Sequence, residues 1–76
     1  MSGLLKKRSI NLSGHATSLA LEPEFWAVLD AMAANGTLAA LIGRIDAGRG
    51  ARPLASACRV AALAWAARQG LSELLH

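Results

Sequence analysis

Gly14-His15-Ala16-Thr17-Ser18-Leu19-Ala20-Leu21-Glu22-Pro23-Glu24-Phe25-Trp26 is the stretch on which the fold turns. Within it Thr17, Leu19 and Leu21 alternate with Ala16, Ser18 and Ala20, the period-two pattern of a half-buried strand. Just upstream, Ile10 and Leu12 alternate too, but at even positions. A flat, continuous strand cannot change parity without turning its apolar face to solvent. Gly14 is therefore expected to mark a bulge or a turn. Glu22-Pro23 then stops the strand and opens a helix. Proline at the first helical position loses no hydrogen bond that would have formed. Glu22 and Glu24 sit where the helix dipole favours negative charge.

Beyond this point the pattern is helical. Phe25, Leu29, Met32 and Ala33 recur at helical spacing, and Asn35-Gly36 is expected to end the first helix with Gly36 left-handed. Thr37 is a good N-cap for a second helix with the apolar stripe Leu38, Leu41, Ile42 and Ile45. Gly48-Arg49-Gly50-Ala51-Arg52-Pro53 reads as a loop. A third helix is expected from about Leu54 to Gly70, burying Leu54, Ala57, Cys58, Ala61, Ala64 and Trp65. Leu71, Leu74 and Leu75 would form a last apolar turn.

The order is strand, helix, helix, helix. Apolar residues make up 54% of the 76, but 17 of them are alanine, which buries little. A chain this short ordinarily needs a disulfide, a metal or oligomerisation to hold its fold. The single Cys58 cannot form an internal disulfide. One cysteine with His15 and His76 lacks the spacing of a zinc site, so no metal or other cofactor is expected. A lone strand also leaves its backbone edge unpaired. Both arguments point to a homodimer in which the strand pairs with its copy.

Net charge is +3 and is unevenly spread. Lys6, Lys7 and Arg8 stand without an acid in a basic arm expected to be flexible over residues 1–8, ahead of a domain over 9–76. Acids dominate the middle of the chain, and Arg49, Arg52, Arg59 and Arg68 outnumber Glu73 at the end. A polyanion partner fits this distribution, as does simple solubility. No run reaches the roughly 20 apolar residues of a membrane span. The N-terminus has no signal-peptide pattern, so a cytoplasmic setting and no membrane partner are expected.

The sequence resembles the ribbon-helix-helix family of bacterial repressors, and more closely a small branch with an added third helix. Lys7-Arg8-Ser9-Ile10 and the Gly14-to-Trp26 block carry the resemblance, with Leu41-Ile42-Gly43-Arg44-Ile45-Asp46 and Leu54-Ala55-Ser56-Ala57-Cys58-Arg59-Val60 downstream. It covers roughly residues 7–68. The resemblance implies a mainly helical, intertwined homodimer in which residues 16–21 of two chains pair as a two-stranded ribbon lying in the DNA major groove. Leu19 and Leu21, with Thr17, would face the dimer core, joined by Phe25, Leu29 and Ile42. Ala16, Ser18 and Ala20 would meet base edges. The start of the second helix, at Gly36, Thr37 and Leu38, would offer backbone N–H groups to a phosphate. One position departs from the branch: where a DNA-reading member carries a basic residue, this chain has Ala16. Alanine and serine make no bidentate contact to guanine, so direct reading by this strand is expected to be weak.

The remaining candidates divide the same way. Lys6, Lys7 and Arg8 would contact phosphate or groove, and His15 would bond a phosphate or the partner chain unless the turn backbone satisfies it. Trp26 and Trp65 are expected to anchor the core. Cys58 reads as a small core residue with no base near it, and Gly48-Arg49-Gly50 lacks nucleotide-loop spacing. No catalytic constellation is present, so no enzyme is expected. The reading is a dimeric DNA-binding protein and transcriptional regulator acting on double-stranded DNA, with the third helix offering a dimer–dimer contact. The alternatives are a non-catalytic dimerisation or protein-interaction module on the same fold, and an antitoxin. Antitoxins of this kind add a toxin-wrapping tail, and this chain ends in a helix and a Leu-rich turn.

Overall fold

A computed structural model describes the backbone of residues 4–75 and the side chains through Gly70. The chain runs β1 (Lys6–Leu12), β2 (His15–Leu21), α1 (Pro23–Met32), α2 (Leu38–Gly48) and α3 (Leu54–Leu75). It is mainly helical with an N-terminal two-stranded ribbon, and α3 is the added third helix.

The parity change at Gly14 is a hairpin turn. Ser13 and Gly14 both take positive φ, at 52° and 83°. Two consecutive left-handed residues form the tight loop whose twist suits paired strands. Leu12 then faces His15, Ile10 faces Thr17, and Arg8 faces Leu19. A two-residue loop pairs even positions of β1 with odd positions of β2, so Ile10, Leu19 and Leu21 share one face. The strand over 16–21 pairs with β1 of its own chain, and the other edge of β2 carries no strand among the described residues. One expectation is corrected. Lys6, Lys7 and Arg8 begin β1 and do not belong to a flexible arm; Met1 to Gly3 lie outside the described residues.

The core also closes within one chain. Leu21, Leu29, Ile42 and Cys58 are fully buried, with Ile10, Leu19, Trp26, Leu41, Ala57 and Ala62 nearly so. The supposition that one chain cannot complete a core fails because β1 covers an edge that the single-strand reading left open. Helix α3 packs across α1 and α2 and against β2, while α2 packs against β1. Leu19 and Leu21 are thus covered by the chain's own helices.

Local chemistry explains the helix starts. Glu22 is the extended residue before α1, Pro23 follows, and the Glu22 carbonyl accepts from the Phe25 and Trp26 amides. The Thr37 hydroxyl accepts from the Ala40 amide at 3.0 Å, capping α2 as expected. Thr37→Ala should cost about 1 kcal/mol, measured by urea denaturation, because an orphan amide loses its partner.

Three details differ from the sequence pattern. Helix α1 ends at Met32 with Ala33 as its cap, and Gly36 is not left-handed; its amide donates to the Ala33 carbonyl at 2.9 Å. On α1, Trp26 and Leu29 are the buried residues, while Phe25, Met32 and Ala33 are partly covered. Helix α3 runs through Gly70 to Leu75, so the separate last turn is absent. On it Ala62 is buried and Ala64 is exposed.

Cys58 sits fully buried where α3 meets the core. Burial pushes its thiol pKa up, reinforced by Asp46 and opposed by Arg59. The reactive thiolate is correspondingly scarce. Labelling with a disulfide reagent should run on the order of 100-fold slower in the folded protein than in urea, since reaction must await opening.

Candidate nucleic-acid interface

Alternation along paired strands gives the ribbon two unlike faces. The inner face carries Lys6, Arg8, Ile10 and Leu12 against Leu21, Leu19, Thr17 and His15. The outer face carries Lys7, Ser9 and Asn11 against Ala20, Ser18 and Ala16. Of these six, Ala20 is half-buried and the others are exposed.

The basic cluster is therefore split. Lys7 is on the outer face with Ala16, Ser18 and Ala20, as a groove-facing group requires. Arg8 is on the other side and is occupied: its two terminal nitrogens donate to the Asp30 carboxylate at 2.9 and 3.1 Å. Its guanidinium also lies 4.5 Å from the centre of the Trp26 ring. The hydrogen bonds from Arg8 to Asp30 raise its pKa above the ordinary value. Trp26 in turn donates its indole N–H to the Lys6 carbonyl at 2.8 Å, fixing the start of β1 to α1. Lys6, Lys7, Arg8, Trp26 and Asp30 line an open hollow there of about 460 Å³. His15 is exposed at the hairpin end, on the inner-face register opposite Leu12.

Gly36, Thr37 and Leu38 form a second group, at the α1–α2 corner. Asn35, Gly36, Thr37 and Ala40 line a small hollow of about 180 Å³, together with Arg44 one turn after Ala40. The first N–H groups of a helix lack intrahelical acceptors, and here Thr37 takes only that of Ala40. Their partial positive charge and Arg44 suit an anion. Sequence reasoning passed over Arg44; its spacing of seven residues from the Thr37 cap, two turns along α2, was the available signal. It likewise passed over Ser9 and Asn11, whose place on the outer face follows once Ser13-Gly14 is read as a two-residue loop.

The other arginines hold the helices together. Arg49 donates to the Asp46 carboxylate at 2.6 Å and to the Arg52 carbonyl at 2.8 Å, bracing the α2–α3 loop. Arg59 donates to Glu22 at 2.9 Å and ties α3 to the start of α1. That hydrogen bond holds the Glu22 carboxyl below the usual carboxylate range. Among the described residues no three His, Cys, Asp or Glu side chains gather where they could hold a metal ion. No helix there is long and apolar enough to cross a membrane.

Residues 5–66 match the family model described as "Ribbon-helix-helix domain". The chain belongs to the ribbon-helix-helix family. That family typically binds DNA as dimers. Among solved structures, the chain is similar to an uncharacterized protein from Bordetella pertussis Tohama I, at 32% identity and a TM-score of 0.76. The match covers 93% of this chain and 62% of that one, so this chain spans somewhat under two thirds of its solved relative. A comparison with curated proteins gives no match. In this ribbon-helix-helix domain β2, the strand that the resemblance pairs with a copy, also pairs with β1 of its own chain.

Proposed function

We propose that this ribbon-helix-helix domain is a dimeric, non-catalytic DNA-binding protein and a transcriptional regulator in the cytoplasm of a bacterium, inserting its ribbon in the major groove of double-stranded DNA. The observation that carries this reading is the exposed outer face of the ribbon, where Lys7, Ser9, Asn11 and Ser18 present polar groups and none is acidic. The major groove is about 12 Å wide and admits a two-stranded β-ribbon. The α2 start with Arg44 would hold a phosphate beside the groove.

Dimer formation is supported by α3. Val60 and Leu63 on that helix are exposed, at 47% and 67%, and a second copy would remove them from water. These same side chains favour the second reading, an interaction module, in which Ala16 and Ala20 leave the ribbon without base contacts. Chemical-shift mapping on addition of a short duplex separates the two. The DNA reading expects shifts at Lys7, Ser9, Ser18 and the Leu38 and Ala39 amides. An unchanged spectrum would favour the interaction module. Sedimentation should show a species twice the 7.9 kDa chain mass at micromolar concentration, and a folded monomer there would contradict the dimer.

A further inference from the structure

We propose that the groove between α2 and α3 binds a small aromatic carboxylate, held by Arg44, Arg49 and Arg52. The groove is open, encloses about 280 Å³ and has no residue of the ribbon in its lining. Arg44 comes from α2, and Arg49 and Arg52 from the loop that follows. Ile45, Ala57 and Ala61 supply apolar surface beside them. The inference stands apart from the DNA-binding reading.

Charge is the first support. Three arginines line the groove and no acid does. Among the described residues Asp46 is the one carboxylate bonded to any of them, through Arg49. The Arg44 side chain makes no hydrogen bond or ion pair there, and that of Arg52 donates only to the Ser56 hydroxyl at 3.4 Å. Three positive charges against one negative favour an anion. The other hollows differ. The one beside β1 includes Asp30, already bonded to Arg8, and the one at the α1–α2 corner has a single arginine.

Preorganisation is the second support. Arg49 is fixed through Nε to Asp46 at 2.6 Å and through one terminal nitrogen to the Arg52 carbonyl at 2.8 Å. Its other terminal nitrogen has no acceptor among the described residues, so one donor is held in place and unused. A guanidinium already fixed loses less freedom on binding than a free one.

The ligand class follows from both. A guanidinium meets a carboxylate through two parallel hydrogen bonds and stacks on an aromatic face. A bare inorganic anion would leave Ile45, Ala57 and Ala61 facing water. Sites for drug-sized ligands span about 300–1,000 Å³. A groove of about 280 Å³ therefore suits a molecule of one or two rings.

The test is heteronuclear NMR of the full chain titrated with 2-naphthoate, with acetate and the neutral 2-naphthamide as controls. 2-Naphthoate should shift the amides of Gly48, Ala57 and Ala61 and half-saturate near about 1 mM, an ordinary affinity for about 13 non-hydrogen atoms. Each control should bind at least about 10-fold more weakly, lacking either the ring or the charge. Arg52→Gln should weaken 2-naphthoate by about 10-fold or more, the share of one charge-assisted hydrogen bond. That substitution keeps the backbone carbonyl that holds Arg49, and a dispersed spectrum shows that the variant is folded. Lys7→Gln, outside the groove, should change nothing. Equal binding of acetate or of 2-naphthamide would reduce the site to general anion or apolar contact and overturn the inference. Unchanged binding by Arg52→Gln, or shifts confined to the ribbon, would overturn it too. So would the absence of any shift with 2-naphthoate, whether or not a duplex binds, which keeps its failure distinct from that of the DNA reading.

Discussion

Replacing Trp26 with alanine is expected to destabilise the protein by about 3–5 kcal/mol, the range for truncating a buried aromatic. The indole is 2% exposed, caps one end of the core, donates to the Lys6 carbonyl and carries Arg8 over its ring. Alanine leaves a cavity that α1 and β1 cannot both collapse into. It also releases the start of β1, and with it the bidentate Arg8–Asp30 pair loses the surface it rests on. A domain's total stability is about 5–15 kcal/mol, so most of the folded population is at stake. Trp26→Phe separates the contributions. It keeps most of the packing and loses the hydrogen bond, which should cost about 1 kcal/mol beyond the reduced volume. Urea denaturation at one fixed protein concentration measures both, the concentration being held because a dimer's stability depends on it. A loss for Trp26→Ala below about 1 kcal/mol would mean that β1 is not anchored through this residue.

What the sequence made legible depended on how local the chemistry is. Pro23 and Thr37 start helices through groups within four residues of themselves, and both were readable in place. The partner of β2 was not, although the parity change at Gly14 pointed to it. The missing step was Ser13, a non-glycine residue in the left-handed region, whose conformation turns a bulge into a two-residue hairpin loop. With bulge and turn both left open there, β1 was not paired with β2, and from that came the arm over residues 1–8 and the lone strand edge. On α3 the obstacle was contrast. Ala61, Ala62 and Ala64 differ in burial but not in chemistry, so periodicity could not say which faced inward. The outer ribbon face was half legible. Ala16, Ser18 and Ala20 were found on it, and Lys7 was singled out for its charge. Arg8 was grouped with Lys7 because nothing nearby in sequence shows Asp30, 22 residues away, as its partner.

The second large effect expected is the salt dependence of DNA binding. Lys6, Lys7, Arg44 and Arg52 carry no carboxylate partner among the described residues. If a dimer neutralises about four phosphates, log affinity should fall against log salt with a slope of about −3.6. Between about 50 and 200 mM salt that is a loss on the order of 100-fold. Lys6→Ala, on the inner-face register at the ribbon's end, should weaken binding to all duplexes alike and make the slope shallower by up to about 1.8 per dimer. Arg8→Ala should leave the slope nearly unchanged because Asp30 already holds that charge. An equal effect of the two substitutions would contradict the division of the basic cluster.

The most direct measurement is fluorescence anisotropy of a labelled duplex titrated with the wild-type protein at about 50 and about 200 mM salt. The account predicts saturable binding at the lower concentration and a loss on the order of 100-fold at the higher one. No binding at about 50 mM salt, where phosphate contacts are strong, would contradict it and leave the fold as an interaction module.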